Sequence, residues 1–379
     1  MASDSPSRIL VIAEGQLGDL LILTPALRAL KHSFPAADIT ALVVQRRSYD
    51  AAGTGRGDIV SVPTGGTSEV LLNDPHVNSV AEVDRARLRS LPIGGRIRAE
   101  AEIVSWLRRG EFDTVICTFP QDRFFQWAFL SGARLRVGGE EGGGFSALLN
   151  RRIRRKKSEG GVLEYYCALA RAAGARVESY ETRFEIPESA TAWAAEAFRT
   201  LGLPDGEMPL LVHPGASGAY RIWPPEYYAT LIDSVQEGVK RNVLLCGSAF
   251  DRGVVEDVRR RCLSQVRVQM TDGGVSRLAA LLKRSALCLS NNSGPRHLAI
   301  AVGTPSLAVI PRYDDAEWKI YGDELRAGTV QSAAACSSCG ADACFNRIPG
   351  GEAYASFCMR DVPPDDVGGR VFSLLASRQ

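Results

Sequence analysis

Asp19 stands where a strand gives way to a helix. Arg8-Ile9-Leu10-Val11-Ile12 is an apolar run of strand length, the turn Glu14-Gly15-Gln16-Leu17-Gly18-Asp19 follows it, and Leu20 to Leu30 continues at helical spacing. In open α/β sheets ligands bind in the crevice at the carboxyl ends of the strands. A carboxylate there can take a proton from a substrate hydroxyl. The other role open to Asp19 is a helix cap, which would also keep it ionised. A second such junction is Leu289 to Val302, reading L-S-N-N-S-G-P-R-H-L-A-I-A-V. Ser293, Gly294 and Pro295 open a helix, Pro295 suits its first turn, and Gly294 permits close backbone approach. Unpaired N–H groups and the helix dipole make such an end an anion site, with His297 as a further donor and diphosphate as the usual occupant. Read alone, the stretch also fits an ordinary strand–helix connection.

Two further strands end in small residues. Leu210-Leu211-Val212 runs into His213-Pro214-Gly215-Ala216-Ser217, with Arg221-Ile222-Trp223-Pro224-Pro225 next and a helix beginning at the prolines. Asn242 to Cys246 runs into Gly247-Ser248. Gly and Ser at these ends suit phosphate approached through backbone N–H groups, with Arg221 as the nearby cation. Together the three strand ends describe a nucleotide pocket on one edge of a second sheet. Cys336, Cys339, Cys344 and Cys358 form a different constellation. C-x-x-C at a turn aims two thiolates at one ion, and a third and fourth Cys complete a tetrahedral set for zinc or iron, structural because no coordination position is left open. Two disulfides or free thiols are the alternatives. Arg151, Arg152, Arg154, Arg155, Lys156 and Lys157 make a basic run that is either a solvated face or an attractor for anionic lipid or phosphorylated acceptor.

These residues need two α/β domains to hold them, and 379 residues at 45% hydrophobic suffice for two cores. The formal net charge of +2 and the lack of aromatics interleaved with the basic run argue against nucleic acid. The N-terminal residues lack a basic leader, and Ile9 to Ala13 is too short to span a membrane, so a cytoplasmic location is expected. Nine cysteines there do not suggest a disulfide scaffold. Cys117, Cys246 and Cys288 fall in strand-like runs and Cys167 in a helical one, as buried apolar residues. Gly15 to Asp19 is not the dinucleotide fingerprint, and no acidic residue closes the next strand, which argues against a nicotinamide enzyme. Pro25 should kink its helix or mark the true first turn. Ser48 to Val70 reads as an irregular loop, and Gly138-Gly139 with Gly142-Gly143-Gly144 as a movable lip.

Gly18-Asp19 with Thr24-Pro25-Ala26-Leu27, H-P-G-A-S at His213 to Ser217 with Arg221-x-Trp223-Pro224, and N-S-G-P-x-H at Asn292 to His297 with Gly303-Thr304-Pro305 resemble glycosyltransferase family 9, the heptosyltransferases. The resemblance implies a GT-B fold, with two Rossmann-like domains facing a central cleft. Residues 1–187 would bind the acceptor and 188–363 the nucleotide sugar, with the four-cysteine loop at 336–358 and a helix at 364–379 returning toward the first domain. It implies transfer of heptose from ADP-heptose, with inversion, to the lipopolysaccharide core, Asp19 being the base. Gly18, Gly215, Ser217, Arg221, Gly247, Ser248, Asp251, Gly274, Asn292, Ser293, Gly294 and His297 would hold the donor. The basic run would hold an anionic glycolipid or glycan acceptor, and peripheral contact with the inner membrane and an oligomer are left open. No cofactor is required for transfer. One departure stands out: the family usually has Asp where this chain has Asn292. A protein acceptor, a GT-B epimerase and an idle nucleotide-sugar-binding protein are the alternatives.

Overall fold

The computed structural model describes residues 5–45, 59–63, 65–141, 143–154, 161–204, 206–272, 274–312, 327–333 and 354–376. The chain divides into two units, Met1–Arg183 and Phe184–Gln379. The division falls just before the expected 187 for a local reason. The Arg28 guanidinium donates to the Glu181 carbonyl (2.9 Å), and the Arg183 N–H donates to Thr24 Oγ1 (3.2 Å), so the chain stays bound to the first unit's opening helix up to this point.

The first unit has strands β1 (Arg8–Glu14), β2 (Asp38–Gln45), β3 (Val60–Ser61), β4 (Ser79–Asp84), β5 (Thr114–Cys117), β6 (Leu135–Gly139) and β7 (Arg151–Ile153). Their order is β3-β4-β2-β1-β5-β6-β7, with only β3 antiparallel to its neighbour. The helices are α1 (Leu17–Ser33), α2 (Glu69–Leu72), α3 (Arg85–Ser90), α4 (Ile93–Arg109), α5 (Asp122–Leu130) and α6 (Gly161–Ala172). Leu10 and Ile12 share a buried cluster with Ile103 and Leu107 of α4 and Phe124, Phe125 and Trp127 of α5. Ile9 and Val11, on the opposite face, are equally buried. Covering on both faces is why β1 reads as a continuous apolar run, with no alternation.

The second unit is all parallel, in the order β10-β9-β8-β11-β12-β13. These strands are β8 (Leu210–His213), β9 (Val243–Gly247), β10 (Arg267–Met270), β11 (Leu287–Asn291), β12 (Ser306–Val309) and β13 (Ala327–Val330). Around them lie α7 (Glu188–Thr200), α8 (Pro225–Gly238), α9 (Arg252–Arg261), α10 (Val275–Lys283), α11 (Gly294–Ala301), α12 (Phe357–Arg360) and α13 (Pro364–Ala376). Strand order reverses at β1/β5 in one sheet and β8/β11 in the other, so each has a topological switch point of the Rossmann type. Helix α13 belongs to the second unit. Val367, Val371 and Leu375 are buried with Trp223, Tyr228 and Leu231, and α13 packs on α8.

Local expectations are refined in four places. Helix α1 runs through Pro25 without ending. Pro25 has no N–H for the Leu21 carbonyl, and Thr24 Oγ1 donates to that carbonyl instead (2.8 Å). The segment expected as an irregular loop holds β3, a 3-10 turn at Gly66–Ser68 and the start of α2, while residues 46–58 and 64 lie outside the described residues. Thr67 and Ser68 are buried there because Gln45 Nε2 donates to both hydroxyls (3.0 and 3.2 Å). Of the glycine lip, Gly138 and Gly139 are instead buried and paired in β6, Gly143 and Gly144 lead into a 3-10 helix at Gly144–Leu148, and Gly142 lies outside the described residues. Cys117, Cys167, Cys246 and Cys288 are buried thiols, as their settings suggested.

Candidate active site

The carboxyl ends of β8, β9 and β11 are neighbours, so the three small-residue strand ends converge on the second switch point. Asn291 closes β11 with a fully buried side chain. Its Oδ1 accepts from the Trp223 N–H (2.9 Å) and the Tyr228 hydroxyl (3.0 Å), and its Nδ2 donates to the Pro214 carbonyl (2.6 Å). That one amide ties the turn after β8 and the segment carrying Arg221 to the start of α11. Ser293 is the N-cap of α11 in extended backbone but does not cap with its side chain, and Pro295 lies in the first turn. Pro295 has no N–H, the Arg296 N–H donates to the Ser293 carbonyl (3.1 Å), and no hydroxyl caps the helix end, a setting in which the helix dipole favours an anion.

Asn292 and Arg296 are both buried, and Asn292 Oδ1 accepts from the Arg296 guanidinium (3.0 Å). His297 is buried beside them. Desolvation, helped by the Arg296 charge, pushes its imidazole down to about 3, so it is neutral at ordinary pH and can donate only through a neutral ring N–H. Arg221 ends a 3-10 turn at Ala219–Arg221, its Nε donates to the Tyr220 hydroxyl (3.0 Å), and its guanidinium lies 5.6 Å from the Tyr220 ring centre. Behind it, the Ala355 and Ser356 N–H groups donate to the Ala219 and Tyr220 carbonyls (both 3.1 Å).

Gly215 and Gly247 have a packing reason that their sequence context did not reveal. A Cβ on Gly215 would lie 1.9 Å from Asp251 Oδ1, and one on Gly247 would lie 2.9 Å from Asp251 Cβ. Asp251 Oδ2 accepts from the N–H (2.9 Å) and hydroxyl (2.6 Å) of Ser248 in a reciprocal cap, and approaches His213 Nε2 at 3.7 Å. Gly215 therefore clears room for a carboxylate that organises the loop, and Gly247 clears room for that residue's Cβ and for Val255 Cγ2 at 2.8 Å. Gly274 is the N-cap of α10 with φ of 107°, a conformation that favours glycine, and Ser217 is exposed.

In the first unit Asp19 is buried in the first turn of α1, two residues past Leu17, which opens the helix. The N-cap is Gln16, so Asp19 is not the cap residue itself. Gly18 is half-buried beside it. Glu14, also buried, ends β1; the Gln121 amide donates to it, and an Arg85 guanidinium nitrogen lies 3.7 Å away. Arg151, Arg152 and Arg154 are exposed, the first two on edge strand β7, while Arg155, Lys156 and Lys157 lie outside the described residues. So do Cys336, Cys339 and Cys344. Cys358 is buried on α12, with its Sγ 3.4 Å from Ser356 Oγ. Among the described residues no three His, Cys, Asp or Glu side chains form a metal cluster, and no helix is long and apolar enough to cross a membrane.

The model of glycosyltransferase family 9 (heptosyltransferase) matches residues 102–346, more than half of the chain. The chain belongs to glycosyltransferase family 9. Lipopolysaccharide heptosyltransferase 3 of Escherichia coli strain K12 is 21% identical over 314 residues, covering 81% of this chain and 83% of that protein. The structure of Escherichia coli ADP-heptose LPS heptosyltransferase II matches with a TM-score of 0.69 at 19% identity, over 98% of this chain and 99% of that one. TibC, a dodecameric iron-containing glycosyltransferase from enterotoxigenic Escherichia coli H10407, matches with a TM-score of 0.53 at 12% identity, over 99% of this chain and 77% of that one. The fold is thus that of the GT-B glycosyltransferases, and this chain is a glycosyltransferase of the heptosyltransferase family.

Within this family 9 chain, residue patterns alone pointed to the α11 end and to Asp19 but passed over Glu14, Asn291 and Arg296. Glu14 carried a usable signal, since it is a charged residue closing an apolar strand. Neutral burial of His297 has a measurable consequence. An unfolded histidine binds a proton near pH 6.5, whereas His297 in the folded chain does so only near 3. Its contribution is therefore intact above pH 6.5 and is lost as pH falls toward 3, with a limiting slope of about 1.4 kcal/mol per pH unit. Urea denaturation at pH 7 and pH 5 should show a shallower pH dependence for His297→Gln than for the parent chain; equal slopes would contradict the assignment.

Proposed function

We propose that this glycosyltransferase is an inverting heptosyltransferase that moves heptose from ADP-heptose to a hydroxyl of the lipopolysaccharide inner core. The observation that carries the reading is the start of α11 at the second switch point, where Ser293 leaves the helix end without a side-chain cap and Arg296 brings a buried positive charge into the first turn. The second unit holds the donor. The diphosphate lies against Ser293, Gly294 and the His297 turn, with Arg221 as an outer cation. Ser217, Gly215 and Ser248 border it, Asp251 sets the shape of their loops, and Gly274 opens the helix beside the adenine.

In the first unit the Asp19 carboxylate takes the acceptor hydroxyl proton as that oxygen forms a bond to the anomeric carbon. The bond from that carbon to the diphosphate oxygen breaks, and ADP leaves with the electron pair, its charge stabilised by the helix end and Arg221. One displacement gives inversion. Arg151, Arg152 and Arg154, with Arg155, Lys156 and Lys157, attract the phosphorylated core of the acceptor. The relatives named for lipopolysaccharide heptosyltransfer support the donor and acceptor classes. Such a reaction belongs on the cytoplasmic side of the inner membrane.

Cys336, Cys339, Cys344 and Cys358 are proposed to hold one structural zinc or iron ion. The donor set is chemically complete, TibC is described as iron-containing, and the described end of the loop is fastened to the Arg221 segment. The ion would pin the loop and take no part in transfer.

Asp19→Ala is expected to lower turnover by roughly 10²–10⁴ while ADP affinity stays near that of the parent. A steady-state assay of ADP release paired with calorimetric ADP titration reads both, and near-normal turnover would remove Asp19 from the chemistry. Asn292→Asp should weaken ADP binding by roughly three- to tenfold, because a carboxylate beside Arg296 offsets the cation that the diphosphate meets. Unchanged ADP affinity would make the departure from the family residue neutral. Elemental analysis of protein purified without added metal should give about one zinc or iron per chain. Cys339→Ser should lose the ion and thermal stability, and a metal-free parent with freely reactive thiols would end the idea.

A further inference from the structure

We propose that the α3–α4 corner of the first unit is a docking surface for an anionic lipid bilayer. Arg85, Arg87, Arg89, Arg96 and Arg98 fall within fourteen consecutive residues that contain no Asp or Glu, in a chain whose formal net charge is only +2. Ile93 and Ile97 lie one helical turn apart at the start of α4 and are 78% and 66% exposed. Large exposed isoleucines are common singly, but a pair at this spacing beside the exposed Arg89, Arg96 and Arg98 makes an apolar wedge with a basic border. That pattern fits the headgroup boundary of an anionic membrane, where apolar tips insert and guanidinium groups meet lipid phosphates. It does not fit the apolar core of a protein interface, which is depleted in charge.

The corner is held in shape before it meets any surface. Leu88 is buried in the first unit's core and Leu91 packs against it. The Asp84 side chain caps α3 by accepting from the Arg87 N–H (3.0 Å). Arg96 closes the turn between the helices, its guanidinium donating to the Leu91 (2.8 Å) and Arg89 (2.5 Å) carbonyls. The isoleucines are thus presented by a fixed corner. α3 starts directly from the carboxyl end of β4, and Arg85 reaches Glu14 at the carboxyl end of β1. The surface therefore adjoins the sheet edge that carries Asp19, where a glycolipid headgroup standing out of a bilayer would arrive. It is separate from the basic strand β7 at the other edge of the sheet. The inference does not rest on heptose transfer, since bilayer binding is read without any sugar nucleotide.

The test is flotation of the full chain with vesicles of phosphatidylglycerol mixed into phosphatidylcholine, against phosphatidylcholine alone. Binding is expected only to the anionic vesicles and should fall steeply with added salt. Arg89→Glu with Arg98→Glu should weaken it by at least about twenty-five-fold, about fivefold for each positive charge removed and more for reversal. Ile93→Ser with Ile97→Ser should weaken binding while leaving its salt dependence in place. Arg370→Glu, on an exposed position of α13, should change nothing, and circular dichroism melts confirm that each variant is folded. The proposal is overturned by binding that ignores lipid charge, by no binding to anionic vesicles, or by loss of binding in Arg151→Glu with Arg152→Glu and not in the corner variants. A dimer that dissociates in the isoleucine variant, with no vesicle binding, would assign the face to a second copy of the chain and also overturn it.

Discussion

The second unit is referenced to one buried amide. Asn291 sits at the end of β11 with no exposure, and each end of its side chain has an assigned task. The oxygen collects the Trp223 N–H and the Tyr228 hydroxyl, and the nitrogen holds the Pro214 carbonyl. Leaving a buried donor or acceptor unsatisfied costs about 1–3 kcal/mol, so no other side chain of similar size serves all these partners as well. Aspartate would set an oxygen against the Pro214 carbonyl, and leucine would abandon all of them. The Trp223 and Tyr228 rings, 4.9 Å apart and nearly perpendicular, then seat this polar junction on the core that also receives α13.

A shared device appears at the first strand of each sheet. After β1, Gly15 leaves room for Gln45, whose Oε1 would lie 2.3 Å from a Cβ there; after β8, Gly215 leaves room for Asp251 in the same way. In the first unit Gln45, at the end of β2, crosses over the turn and bonds to groups beyond it; in the second, Asp251 fills the space beside Gly215 while bonding to Ser248 of its own loop. Gln45 donates to Thr67 and Ser68, and Thr67 donates to the Gly15 carbonyl (2.7 Å). The glycines at these switch points serve first to lock the loops in place. A ligand then meets a backbone whose shape is already fixed, which lowers the ordering cost of binding.

Much of this was legible because it is local. Apolar runs of strand length marked β1, β8, β9 and β11, the paired prolines marked the start of α8, and Ser293-Gly294-Pro295 marked the start of α11. What stayed hidden depends on partners distant in sequence. Glu14 meets Gln121 and Arg85, and the rescue of Pro25 by Thr24 shows only when the Leu21 carbonyl is followed. Residues 181–183 bond back to α1, so the first unit ends at Arg183. Spacing within a segment cannot report such bonds. The roles of the donor-side residues came from resemblance to the family, and the geometry adds why Gly215 and Gly247 must be small.

The departure from the family pattern at position 292 acquires a physical meaning through Arg296. Asn292 gives the guanidinium a hydrogen bond without a compensating charge, so this contact leaves the positive charge of Arg296 in place within the first turn of α11. His297 registers it, since that charge adds to desolvation in driving its imidazole neutral. A protonated His297 would be a second cation packed against the first in a buried site, where like charges interact strongly. A buried guanidinium, a neutral imidazole and a helix end without a side-chain cap thus share the same turn. An aspartate at 292 would satisfy the same guanidinium nitrogen but would add a negative charge to the turn. The pair Asn292 and Arg296 is therefore best understood as a unit that sets the electrostatic strength of the helix end.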